Sequence, residues 1–158
     1  GLGLVLNIAA ILLAFVALIA LVNGVIGMVG GWFGITNLSL QSILGYIFAP
    51  VAVIIGVPMK EAVVAGSLIG QKIILNEFVA FTSLSEIMST LSAKTIAVVT
   101  FSLCGFANIS SIAILIGGIG GMAPSRKHDI ARLGWKAVLG GTLANLLSAT
   151  IAGLLLTI

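Results

Sequence analysis

Three side chains in an otherwise oily sequence have the types and spacing to do chemistry. Glu77 sits in "IILNEFVA", residues 73–80, with apolar flanks. Asn108 and Ser111 sit in "CGFANISS", residues 104–111, inside a second apolar run. A carboxylate accepts hydrogen bonds from vicinal hydroxyls, or holds a cation or a proton, whereas an amide offers both donors and acceptors. Ser111 follows Asn108 by three, so on a helix the two face one way. No arginine joins them, and the set suits a neutral, hydroxyl-rich ligand better than an anion. Blander readings stand beside this one. In them Glu77 is the structural ion-pair partner of Lys72, and such a buried pair argues only weakly for function. Asn108 is hydrogen-bonded glue between helices, the role also expected of Asn7 and Asn145. His128 is a surface residue of a basic segment, and Cys104 packs. One Cys and one His make no metal-ligand cluster. No GxSxG, HExxH or P-loop pattern supports an enzyme.

The elements that must position these groups lie in lipid. Of the 158 residues, 60% are hydrophobic and 7% charged, against roughly 25% charged in soluble domains. A sphere of this size could not hide so much apolar surface from water. Residues 1–22, with Asn7 as their one polar side chain, would span about 33 Å as a helix, enough for a hydrocarbon core of about 30 Å. They are predicted to form a transmembrane helix. In residues 23–58, Gly24, Gly27, Gly30, Gly31 and Gly34 surround Trp32 and Phe33. Their density predicts a turn rather than tight GxxxG helix contact, with Trp32 at the membrane interface. An interfacial or kinked helix follows, because Pro50 lacks the N–H a helix interior needs.

Residues 59–92 predict a re-entrant hairpin of two short half-helices with its tip near Asn76. One continuous helix would hold Lys72 and Glu77 near the bilayer centre, at about 2.5–3.5 kcal/mol each. Non-helical backbone at that depth is tolerated only against protein or a water-filled cavity. Residues 93–123 predict a transmembrane helix interrupted at CGFANISS. Two segments that are each polar at the centre mark a transporter site at the midplane. Residues 124–133 form a basic loop. Arg126, Lys127, Arg132 and Lys136 are four of the seven basic residues, which makes that loop cytoplasmic and puts the end of the last helix, 134–158, outside. The net charge of +3 is too scattered to track phosphates, so no nucleic-acid partner is expected. A lone Cys permits no intrachain disulfide. The chain opens Gly1-Leu2-Gly3, without Met or a basic n-region, as a piece from inside a longer protein would.

The 66–81 stretch ending in NEFVAF, CGFANISSIAILIGGIGGMAPSRKHDIARLGWKAV across 104–138, and LLAFVALIALVN across 12–23 together resemble the C-terminal half of concentrative nucleoside transporters. The match covers essentially the whole chain, and the NEF and CGFANxSS strings are its specific part. The resemblance implies an all-α integral membrane fold, with transmembrane helices, a re-entrant helical hairpin and an interrupted helix, as the second half of an inverted-repeat transporter. It implies a cation-coupled symporter that assembles as a homotrimer and moves its substrate-holding domain like an elevator. It further implies that Glu77, Asn108 and Ser111 bind the ribose hydroxyls of a nucleoside and that Phe106 lines the pocket. No cofactor is implied. The coupling cation, sodium or proton, and the base-reading hairpin belong to the N-terminal half of the same protein. The runner-up is a membrane gate or sensor module that docks a nucleoside-like ligand without transport. A purely structural bundle, the third reading, would tolerate Glu77→Gln.

Overall fold

The structure is a computed structural model that describes residues 2–156, apart from some side chains in the first helix and at 109–122. The expected role of Asn7 lies outside the described residues. Seven α-helices follow one another among the described residues: α1 (Leu2–Trp32), α2 (Leu40–Ile54), α3 (Ala62–Ile74), α4 (Glu77–Ile87), α5 (Ala93–Leu103), α6 (Ile109–Met122) and α7 (Lys127–Leu155). Short 3-10 turns precede α3, α5 and α7, and no strand forms among the described residues. The chain divides into two compact units, Gly1–Ile43 and Leu44–Ile158.

In the first unit the expected glycine-rich turn is mostly helix. α1 runs on through Gly24, Gly27, Gly30 and Gly31, although each helical glycine costs about 1 kcal/mol relative to alanine. The reason lies eight residues further on. Leu38 folds back so closely that a Cβ on Gly30 would stand 2.9 Å from the Leu38 Cβ. The turn itself is short, with Gly34 and Asn37 in left-handed backbone (φ 71° and 64°). Asn23, inside α1 rather than at its end, holds the start of α2. Its Oδ1 accepts from the Leu40 N–H at 2.8 Å, and its Nδ2 donates to Gln41 Oε1 at 3.0 Å.

In the second unit α2 continues through Pro50, at the cost of the bond the missing N–H would have made. It stops at Gly56, whose φ of 101° suits only glycine. There the Val57 N–H reaches Ala52 O at 3.0 Å and satisfies a carbonyl of the last turn. α3 then lies almost backbone to backbone on α2, since a Cβ on Gly66 would come within 2.6 Å of Ala49 N. α3 and α4 pair as a hairpin. Buried Gln71 clasps the arms, donating to Ser67 Oγ at 3.2 Å and accepting from Ser83 Oγ at 2.9 Å. At the open end, Ser92 caps α5 and donates to Glu61 Oε2 at 2.7 Å. Leu68, Ile69, Leu84, Val98, Val99 and Leu103 form the centre of the core.

α7 has two faces of different character. Gly134, Gly141 and Gly153 meet Ile112, Ala107 and Val98 at distances a Cβ would close to 2.8–2.9 Å. Small residues let helices approach in this way when no hydrophobic effect drives them together. The other face carries Trp135, Leu139, Leu143, Leu147, Ile151 and Leu155, each four residues from the last, all exposed. By length and composition Pro124–Leu155 suffices to cross a membrane.

Two further expectations change. The basic stretch 124–133 is not a loop, because α7 already begins at Lys127. Asp129 in its first turn suits the positive helix end, and it accepts from Arg126 Nε at 2.6 Å with Arg132 at 4.0 Å. Cys104 is exposed rather than packed. It is the first residue past α5 and so leaves the face on which Leu103 is buried.

Candidate ligand-binding site

Two breaks in the helical ladder make the site. The first falls between α3 and α4 at Leu75 and Asn76, the second between α5 and α6 at 104–108. Each ends in an asparagine with extended backbone, Asn76 at φ −165°, ψ 170° and Asn108 at φ −144°, ψ 168°. Each asparagine caps the helix that follows. Asn76 Oδ1 accepts from the Val79 N–H at 2.9 Å, and Asn108 Oδ1 accepts from the Ser111 N–H at 2.8 Å. Such caps satisfy N–H groups that the first turn leaves without partners.

The breaks also meet. The Asn108 Nδ2 donates to Glu77 Oε2 at 2.9 Å, joining residues 31 apart in sequence. Ser110 Oγ lies 3.2 Å from Leu75 O and 2.7 Å from Asn108 Oδ1, and donates to one of them at a time. Ser111 Oγ lies 2.8 Å from the same Oδ1 and close to Phe106 O, with the same choice. The Asn108 carbonyl is thus fully engaged, so toward the site Asn108 is a donor. Glu77 is half-buried in the first turn of α4, where the helix dipole favours its negative charge.

The four residues singled out in the sequence separate by role. Glu77, Asn108 and Ser111 form one hydrogen-bonded group. The Phe106 ring stands 71% exposed beside it. Phe106 and Ser111 border a cavity of about 260 Å³ that Gly105, Gly141 and Asn145 also line. Asn145 presses on the second break, where a Cβ on Gly105 would fall 1.9 Å from its Nδ2. The alternative in which Lys72 pairs with Glu77 is not realised. Lys72 is buried, and its Nζ has no hydrogen-bond partner among the described residues. Ser110 and Asn76 were passed over as site residues. The signal was a shared pattern, since "NEFV" and "NISS" each place an asparagine three residues before the N–H it caps.

Apolar helices interrupted twice around a carboxylate and an amide, with two capped helix N-termini converging on them, are the features that mark a binding site in helical membrane proteins. Residues 1–153 match the family profile "Na+ dependent nucleoside transporter C-terminus". The chain therefore belongs to that family. It is 60% identical over 154 residues to an uncharacterised transporter, YutK, of Bacillus subtilis, covering 98% of this chain and 38% of the relative. It is 52% identical to the nucleoside permease NupC of Helicobacter pylori, with 98% and 38% covered. CNTnw, solved in an inward-facing, substrate-bound state, superposes with a TM-score of 0.91 at 55% identity, over 96% of this chain and 38% of that one. The chain thus spans under two-fifths of the length of these relatives.

Proposed function

We propose that the chain is the C-terminal portion of a cation-coupled nucleoside symporter and that it supplies the ribose-binding side of the substrate site. The observation that carries this reading is the Asn108–Glu77 hydrogen bond. It aims one carboxylate oxygen and leaves the other for a sugar hydroxyl. Glu77 accepts from the hydroxyls, the second N–H of the Asn108 amide is left to donate, Ser111 Oγ keeps a lone pair to accept, and the exposed Phe106 ring gives an apolar wall. The family profile and the relative named as a nucleoside permease support the substrate class. The base-reading groups, and the coupling cation, which is cargo here, are assigned to the upstream portion of the protein.

All four candidate residues lie in the second compact unit and none in the first. An elevator-like movement of the ligand-holding part, within a homotrimer, belongs to the same reading. The α3–α4 hairpin is read as re-entrant because its arms have 13 and 11 residues, about 20 and 17 Å, against a hydrocarbon core of about 30 Å. The basic start of α7 is placed on the cytoplasmic side.

The test is radiolabelled uridine uptake into proteoliposomes by the full-length parent protein and its Glu77→Gln variant. Hydrogen bonds to a charged group contribute about 1.5–3 kcal/mol each, so loss of the charge is expected to lower uptake efficiency at least about tenfold. The variant should remain folded and inserted. Wild-type uptake and affinity in Glu77→Gln would return Glu77 to a structural role.

A further inference from the structure

Lys72 is the group that the ligand site leaves unexplained. Its side chain is 1% exposed within this chain alone. Its Nζ finds no hydrogen-bond acceptor, and no carboxylate forms an ion pair with it within 4.0 Å among the described residues. A charge removed from water is costly unless something compensates it. Lys72 is enclosed by this chain, so a compensating charge is sought within it.

The candidates are few, since the chain has four acidic residues. Glu61 is engaged by Ser92 at the open end of the hairpin. Glu86 is exposed on the outer part of α4, and Asp129 is held by Arg126 on α7. Glu77 remains, five residues on and across the hairpin tip at Leu75 and Asn76. The helix ends reinforce the arrangement. Lys72 lies in the last turn of α3, at a negative pole, and Glu77 in the first turn of α4, at a positive one. A through-space partner has an advantage over a touching one. A direct ion pair would occupy the carboxylate lone pairs that a ligand needs.

We propose that Lys72 is a positioning residue of the ligand site, the fixed counter-charge that holds the Glu77 carboxylate for the ligand without contacting it. The proposal rests on reading Glu77 as a ribose-binding group, and the experiment separates the two. The full-length parent protein in proteoliposomes is assayed for KM with uridine and with 2′,3′-dideoxyuridine, which lacks the vicinal 2′- and 3′-hydroxyls and keeps the 5′-hydroxyl. Lys72→Met is expected to raise the uridine KM several-fold and to leave the dideoxyuridine KM unchanged. Lys72→Arg, which keeps the charge, should preserve the discrimination.

Unchanged values for both substrates, or equal increases in both, would overturn the proposal and leave Lys72 a packing residue. Should Lys72→Met not reach the membrane, Lys72→Gln removes the charge while keeping a polar chain and reads out the same difference. A wild-type protein that does not distinguish the two substrates overturns the ribose reading itself, and this proposal with it.

Discussion

At the scale of the residue, Asn108 performs two tasks with one amide. Its carbonyl caps α6 and its NH2 orients Glu77. Serine caps a helix about as well as asparagine but has no amide to donate. Asn108→Ser is therefore expected to keep the cap but lose the bond to Glu77, about 1.5–3 kcal/mol of stability, while its uridine KM rises about tenfold as the carboxylate loses its orientation. Asn108→Ala should lose the cap as well, a further cost of about 1 kcal/mol. Thermal unfolding in detergent and uptake on the same preparations check both numbers. Equal destabilisation in the two variants would refute the division of labour. Glu77 and Asn108 were legible in the sequence because a polar group between long apolar runs has few cheap explanations. Ser110 was not, because its bond to Leu75 O exists only once the two breaks have closed on each other. Nor was the isolation of Lys72. Five residues of separation suggested contact with Glu77, but α3 ends between them and each charge stays with its own helix.

At the scale of the element, the second break depends on a helix that contributes nothing to its chemistry. Asn145 of α7 fills the space where a side chain at residue 105 would lie. An added methyl must displace a short, packed amide, and overpacking of that kind costs about 1–3 kcal/mol. Gly105→Ala should destabilise by about that amount, and Asn145→Ala in the same chain should recover most of it by vacating the space. Thermal unfolding of the two single variants and the double variant is the measurement. Additive losses would show that the two residues do not share that space. The breaks themselves could be read from the sequence, since polar and small residues interrupted two apolar runs at their middles. The length of α1 could not. Glycine density argued locally for a turn, and what overrides it is the return of Leu38 onto Gly30, a tertiary contact that leaves no local mark. The early start of α7 was obscured in the same way, because four basic residues look like a solvated loop until Asp129 is seen pairing along a helix.

At the scale of the molecule, the exposed stripe of α7 from Trp135 to Leu155 requires an apolar neighbour. Lipid or another transmembrane helix meets that need equally, and both exclude charge. Leu143→Arg is expected to cost about 2.5–3.5 kcal/mol of insertion free energy and to lower the abundance of the full-length protein in membrane fractions several-fold, whereas Leu143→Phe should be tolerated. Wild-type abundance of the arginine variant would show that this face meets water.

The buried Lys72 also bears on biosynthesis. The ribosome delivers α3 and α4 before α5 and α6, the helices that later shelter them. Until those arrive, neither arm is long enough to cross the hydrocarbon, and only water or lipid headgroups can solvate the ammonium. On the re-entrant reading proposed above, the hairpin is expected to stay at the membrane surface until α5 and α6 arrive, so that its insertion coincides with the closing of the two breaks on each other.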